Sequence, residues 1–329
     1  MKVNKTKIKR ILLIGLSNIG DAILTTPVVE TLRRHFPQAH LALLIGPRAF
    51  CVFKHDRRID RKIIYDKAIC RKNKLGLINR LRQDRYDLVV DLRYTAFSMF
   101  LGARYHTWAF AKPPRGLTHM LDRHLWKLKS LGLNIDNRTG LSVEFTEDER
   151  DNVKQMFKRW QIKDTQTVIA VAPGARNMTK CWERQGYKEL IERLTKQCRA
   201  KIIMVGDDQD KLLIDEISGQ IKPVPLNASG KTSIGELALV LVKCRLLVSN
   251  DSAPMHLASA VNTPLISIFG PTDYRKYAPR GPQDILIRKE LDCSPCEQSL
   301  CPKGTRECMK MISADEVFAA CKKILDEKL

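Results

Sequence analysis

Ile11-Leu12-Leu13-Ile14-Gly15-Leu16-Ser17-Asn18-Ile19-Gly20-Asp21 decides the fold. Residues 11–16 are an unbroken apolar run of strand length, the pattern of a strand buried on both faces. A glycine-bearing loop follows, and residues 22–36 continue at helical spacing. The unit is strand, loop, helix, with the loop where a parallel strand ends. Its glycines are spaced G-x-x-x-x-G, which is not the dinucleotide fingerprint.

The same scheme repeats outward from this stretch. Residues 41–45, 63–65 and 88–92 are further buried strands, with a helix over 75–85. In the second half, residues 168–172, 202–205, 246–249 and 265–269 are strands. Residues 187–198, 211–221, 234–244 and 255–261 are helices. Continuous apolar strands alternating with helices predict an α/β protein of parallel sheets covered on both faces. Thr146 with Glu149, Ser233 with Glu236 and Ser313 with Glu316 have capping-box spacing. The polar helix 147–160 and the linker after it predict two doubly wound domains, 1–160 and 161–329. Two such domains facing a central cleft would present the loops after their strands as ligand sites.

The chain has 329 residues, of which 44% are hydrophobic, so a packed core is expected rather than disorder. No apolar run approaches the length of a membrane-spanning helix. The basic N-terminus with its short apolar run is expected to be a first strand, not a secretion signal, which predicts a cytoplasmic protein. Lys and Arg number 57 against 36 Asp and Glu, a formal charge of +21. That surplus implies an anionic partner. Aromatic residues are only 6% and are not interleaved with basic runs, which argues against nucleic acid.

Several post-strand loops carry candidate chemistry. Asp21 sits at a helix start, either as a helix-capping carboxylate worth ~1 kcal/mol or as a catalytic base. Asn250-Asp251-Ser252-Ala253-Pro254-Met255-His256 also joins a strand to a helix. The N–H groups after Ser252, the helix dipole and the Ser252 hydroxyl suit a phosphate, with His256 one turn on. The alternative makes Asp251 an N-cap and His256 a core residue. Arg176 and Lys180, on the loop after 168–172, suit a diphosphate or are ordinary surface charges. Asp207, Asp208 and Asp210 follow the strand 202–205, where an acidic side chain takes ribose hydroxyls. Asp208-Gln209-Asp210 also spells D-x-D, a weak metal signal beside simple helix capping. Gly230-Lys231-Thr232 resembles the end of a P-loop, but Pro225 stands where the pattern needs glycine, which excludes that NTPase motif. Phe269-Gly270-Pro271-Thr272 offers donors at another strand end.

Of ten cysteines, Cys51, Cys70, Cys181, Cys198, Cys244 and Cys321 are scattered, as free thiols in packed contexts would be. Cys293, Cys296, Cys301 and Cys308 cluster as C-x2-C-x4-C-x6-C. A structural metal site, free thiols and a redox-sensitive disulfide are all open to that spacing.

Taken together, residues 11–15 and 20–27, Arg33-Arg34-His35-Phe36-Pro37, residues 249–256 and Phe269-Gly270-Pro271-Thr272-Asp273 resemble glycosyltransferase family 9, the lipopolysaccharide heptosyltransferases. Cys293-Ser294-Pro295-Cys296, Cys301-Pro302 and Cys308-Met309 extend the likeness. The resemblance implies a GT-B fold with acceptor bound by the N-terminal half and donor by the C-terminal half. It implies inverting, metal-independent transfer from ADP-L-glycero-D-manno-heptose to an anionic lipid-linked saccharide, with no required cofactor and peripheral contact at the cytoplasmic face of the inner membrane. By the same resemblance Asp21 is the general base. It also implies that Lys180, Asp210, Thr232, Asp251, Ser252, Ala253 and His256 hold the donor and that His119 and Arg123 hold the acceptor. Arg176 and Thr272, from their post-strand loops, are expected to join the donor set, and Ser17 and Asn18, from the first loop, the acceptor set. Another nucleotide-sugar donor, or a nucleotide-sugar epimerase or binding protein on the same architecture, is the alternative.

Overall fold

The computed structural model describes residues 3–66, 74–93, 95–108, 111–136, 140–219 and 221–327; Cys70 lies outside them. The chain forms two compact units, Met1–Glu144 and Phe145–Leu329.

In the first unit the strands are β1 (Arg10–Ile14), β2 (His40–Ile45), β3 (Arg61–Ile64), β4 (Leu88–Asp91) and β5 (Tyr105–His106). They form one parallel sheet in the order β3-β2-β1-β4-β5. The apolar runs explain it, since β4 is wholly buried and β1 and β2 are buried past their first residue. Strand order reverses between β1 and β4, so the loops that follow those two strands diverge and leave a crevice at the sheet edge. The expected helix 22–36 is two helices, Ile19–Ile23 and Thr26–His35. Thr25 and Thr26 break it by donating their hydroxyls to the carbonyls of Ala22 (2.7 Å) and Ile23 (2.8 Å). Pro27, which disfavours helical backbone at the residue before it, sits in the first turn of the second helix.

The second unit contains β6 (Val168–Ala172), β7 (Lys201–Met204), β8 (Leu226–Asn227), β9 (Leu246–Asn250), β10 (Leu265–Phe269) and β11 (Ile285–Arg288). They form a six-stranded parallel sheet in the order β11-β10-β9-β6-β7-β8, reversing between β6 and β9. Every residue of β6, β9 and β10 is buried. One core cluster joins this sheet to the helices Arg184–Cys198 and Ala314–Asp326 through Leu190, Ile191, Val317 and Cys321.

The helix Glu147–Arg159, assigned above to the N-terminal half, belongs to this second unit. Its Glu149 accepts the Ser233 hydroxyl (2.5 Å), and Asn152 donates to Glu236 (2.8 Å). The division therefore falls at 144/145, ahead of the helix, rather than near residue 160. The capping boxes at Thr146 and Ser233 are complete. At Ser313 only the hydroxyl caps, because Glu316 pairs instead with Lys289 (2.7 Å).

His124, on the helix Met120–Ser130, is fully buried and its Nδ1 lies 3.3 Å from the Leu24 carbonyl. Burial pushes its pKa down to about 4, and nearby cationic groups, Lys127 first, add to the shift. Its folded pKa lies below the unfolded value of about 6.5. The unfolded chain therefore binds more protons between the two, and stability falls as pH drops through that window. Urea unfolding is expected to lose up to about 3 kcal/mol between pH 7 and pH 4 from this residue, and His124→Asn is expected to flatten that part of the profile. An unchanged slope in the variant would contradict it.

Candidate functional site

Each unit gathers polar groups where its strand order reverses. In the second unit the centre is Asn250, the last residue of β9, which is wholly buried. Its Nδ2 donates to the Pro173 carbonyl (2.7 Å), just past β6. Its Oδ1 accepts from the Trp182 N–H (3.0 Å) and the Tyr187 hydroxyl (3.0 Å). One amide thus fixes the end of β9 against the whole 173–182 loop.

Asp251, next in the chain, is buried and forms an ion pair with Lys180 at 2.7 Å. It is not the N-cap of the following helix. That position is Ser252, whose hydroxyl makes no capping bond and lies 3.2 Å from Ser249 Oγ. The helix Ala253–Ala260 therefore begins without a side-chain cap, and its positive dipole end is open to an anion beside Lys180. His256 is buried one turn in, edge-on to the Tyr277 ring at 6.5 Å. Thr272 is buried at the end of β10. Beside it, Asp273 is held below the usual carboxylate range, chiefly by its hydrogen bond from the Arg275 guanidinium (2.9 Å).

Asp210 is set by two close approaches. A Cβ on Gly174 would lie 1.9 Å from its Oδ1, and one on Gly206 would lie 2.6 Å from its Oδ2, so a side chain at either position would displace the Asp210 carboxylate. Asp210 also closes a capping box by accepting the Asp207 N–H (3.0 Å). Burial raises its pKa, with the Asp207 charge adding to the effect. Asp208 faces elsewhere, toward Lys211 (2.6 Å) and Gly230. The D-x-D carboxylates thus have separate partners. Arg176 is exposed on the 173–182 loop, and Thr232 is partly exposed just before the Ser233 cap.

In the first unit Asp21 lies inside its short helix, not at the cap, and its carboxylate accepts from Asn18 Nδ2 (2.9 Å). Ser17 packs on Gly46, where a Cβ would come within 2.9 Å of its hydroxyl. Across the strand-order reversal stands a group that the sequence reading passed over. Arg93, just past β4, donates from Nε to the Gly15 carbonyl (2.6 Å), and its guanidinium lies over the Tyr65 ring at 5.5 Å. Its Nη2 is buried and has no hydrogen-bond partner among the described residues. Asp91 does not neutralise it directly. The Asp91 carboxylate accepts the Arg93 N–H (2.7 Å) and the Thr95 hydroxyl (2.5 Å). Burial pushes the Arg93 pKa down from its ordinary value. Lys127, also buried, donates to the Asp91 carbonyl (2.5 Å), and burial pushes its pKa down to about 8. The motifs gave no sign of either cation, because neither lies in a patterned loop. His119 is buried at the N-cap position of the helix Met120–Ser130, where its side chain makes no capping bond. Arg123 lies one turn further, 4.0 Å from Met120 Sδ.

The arrangement offers anion-binding groups in the second unit and, in the first, a carboxylate in the short helix after β1 and a cation on the loop after β4. Residues 75–306 match the profile of glycosyltransferase family 9 (heptosyltransferase). Lipopolysaccharide heptosyltransferase 3 of Escherichia coli K12 is 28% identical, over 94% of this chain and 96% of its own length. A solved family 9 glycosyltransferase from Veillonella parvula superposes with a TM-score of 0.85 at 24% identity, covering 100% of this chain and 99% of that one. The E. coli ADP-heptose lipopolysaccharide heptosyltransferase II does so with a TM-score of 0.76 at 19% identity, covering 96% and 98%. The fold is the expected one, α/β of the GT-B type, and this chain belongs to glycosyltransferase family 9, the heptosyltransferases.

Proposed function

We propose that this enzyme transfers a heptose from ADP-L-glycero-D-manno-heptose to an inner-core lipopolysaccharide acceptor, with inversion and without a metal or other cofactor. The observation that carries the reading is the Lys180–Asp251 pair beside the uncapped start of the helix Ala253–Ala260. A cation already paired to a buried carboxylate can exchange that partner for a diphosphate without being newly drawn out of water.

In this reading the diphosphate lies against Lys180, Arg176, the N–H groups at Ser252 and Ala253, and Thr272. Asp251 and His256 take sugar hydroxyls. Asp210, held in place by the two glycines, takes the ribose, and Thr232 lies beside the adenine. An acceptor hydroxyl attacks the anomeric carbon on the face opposite the diphosphate. Asp21 accepts its proton, and Asn18 orients the carboxylate. The bond from the anomeric carbon to the phosphate oxygen breaks, and the charge that builds on the departing ADP is met by Lys180 and the helix dipole. The first unit binds the acceptor through Ser17, Asn18, His119 and Arg123, joined by Arg93. The net charge of +21 suits an anionic acceptor presented at the cytoplasmic face of the inner membrane.

Asp21→Asn is expected to lower kcat by roughly 10²–10⁴-fold, the usual worth of a positioned base, while calorimetry gives an unchanged Kd for ADP. Weakened ADP binding with full turnover at saturating donor would remove Asp21 from the base role. Arg93→Gln is expected to raise the acceptor KM by roughly tenfold or more, as loss of a charged hydrogen bond does, and to leave the donor KM alone. A donor KM that rises in parallel, or neither changing, would take Arg93 out of acceptor binding.

A further inference from the structure

The four clustered cysteines lie behind the loops just described. Cys293, Cys296, Cys301 and Cys308 line one cavity with Thr179 and Pro271. Thr179 precedes Lys180, and Pro271 precedes Thr272. All four thiols are free and partly exposed.

The segment that carries them is tied to both loops. Ser294 Oγ donates to the Gly270 carbonyl (2.7 Å), and the Glu297 N–H donates to the Pro271 carbonyl (2.7 Å). Gly270 has no room for a side chain, since a Cβ would lie 2.3 Å from Met309 Sδ and 3.2 Å from Cys308 Sγ. On the other side the Arg306 guanidinium donates to the Cys181 carbonyl and approaches Glu183 at 3.7 Å.

The thiols are not equivalent. The backbone N–H of Arg306, and then those of Lys303, Gly304 and Thr305, hydrogen-bond to Cys301 and push its thiol pKa down. Left-handed backbone at Gly304 (φ 69°) and Arg306 (φ 56°) turns the chain around this sulfur, as in an anion-binding nest. Cys308 is the opposite case, since burial and then the charges of Cys296, Cys293 and Cys301 push its thiol up. A partly exposed thiol ringed by backbone N–H groups, sharing one cavity with three other thiols, is the arrangement of a peroxide-reactive cysteine and its resolving partner. Among the described residues no group of three or more His, Cys, Asp or Glu side chains is placed to hold a metal ion.

We infer that Cys301 is a peroxide-reactive thiol which crosslinks to another cysteine of the same cavity, and that the crosslink weakens nucleotide binding at the adjoining loops. In the first step the Cys301 thiolate attacks hydrogen peroxide. The O–O bond breaks, Cys301 becomes a sulfenic acid, and the released hydroxide takes a proton to become water. In the second step a neighbouring thiol attacks that sulfur, the S–O bond breaks, and a disulfide and a second water form. Two thiols are oxidised and one peroxide is reduced to two waters. Arg306 carries the effect, because its N–H contacts the sulfur while its side chain holds the carbonyl next to Lys180.

The binding arm of the test rests on the donor site proposed above; the thiol arm does not. The purified full-length chain is treated with stoichiometric hydrogen peroxide, with and without dimedone, and the modified peptides are mapped by mass spectrometry. Calorimetry then gives the Kd for ADP before oxidation, after it, and after dithiothreitol. We expect dimedone on Cys301, one disulfide that includes it, and a rise in Kd of at least roughly fivefold, reversed by the reductant. Cys301→Ser is expected to bind ADP like the parent and to be insensitive to peroxide. Peroxide consumed first at another cysteine, thiols held inert by tightly bound zinc, or a Cys301 disulfide that leaves the ADP affinity unchanged would each overturn the inference. Absence of ADP binding to the reduced chain would instead count against the donor site, with the peptide map still deciding the chemistry at Cys301.

Discussion

A single buried amide, Asn250, holds the loops after β6 and β9 of the second unit in place. A reversal of strand order brings the end of β9 beside the end of β6, but sheet pairing stops there and cannot fix the loops beyond. The three hydrogen bonds of Asn250 do so. Each satisfies a group that would otherwise be buried unpaired, at a cost of about 1–3 kcal/mol. Asp251, next in the chain to this clasped amide, pairs with Lys180. The T-shaped packing of Trp182 on Tyr187, with centroids 4.8 Å apart, closes the same knot from the apolar side.

The first unit solves the same problem with charges. Asp91 ends β4 as Asn250 ends β9, and its carboxylate organises the next turn through Arg93 and Thr95. Arg93 then reaches to the Gly15 carbonyl, linking the loop after β4 to the loop after β1. The difference has chemical consequences. An amide clasp is electrically silent and leaves the local charge to Lys180 and Asp251. A guanidinium clasp brings a cation to the crevice, with its Nη2 group without a hydrogen-bond partner among the described residues.

Much of this was legible in the sequence. The interior strands are continuous apolar runs, and hydrophobic burial dictates them directly, so their bounds shift by only a residue or two. The strands missing from the sequence reading are edge strands: β5 and β8, two residues each, and β11, whose apolar run is only Ile285-Leu286-Ile287. The helix break at Thr25-Thr26-Pro27 had a local signal, since hydroxyls and proline both compete with helical bonding. The helix at 147 was correctly capped yet assigned to the wrong unit, because its partners Ser233 and Glu236 are remote in sequence. Likewise, loop motifs pointed to Asp251, Ser252 and Asp210, but not to the Lys180 pairing or the glycine walls that set Asp210. Asn250 and Arg93 were invisible as organisers, because what makes them so is three-dimensional. Each bonds to a carbonyl that lies 77 or 78 residues away along the chain.

The central claim is that these loops bind an adenine nucleotide-sugar through protein groups alone, without a metal ion. Calorimetric titration with ADP-heptose, ADP and UDP, each with and without EDTA, tests it most directly. The account predicts binding of ADP-heptose and ADP, much weaker binding of UDP, and no change on chelation. A preference for UDP, or binding that collapses with EDTA, would contradict it and would return Asp208 and Asp210 to consideration as metal ligands.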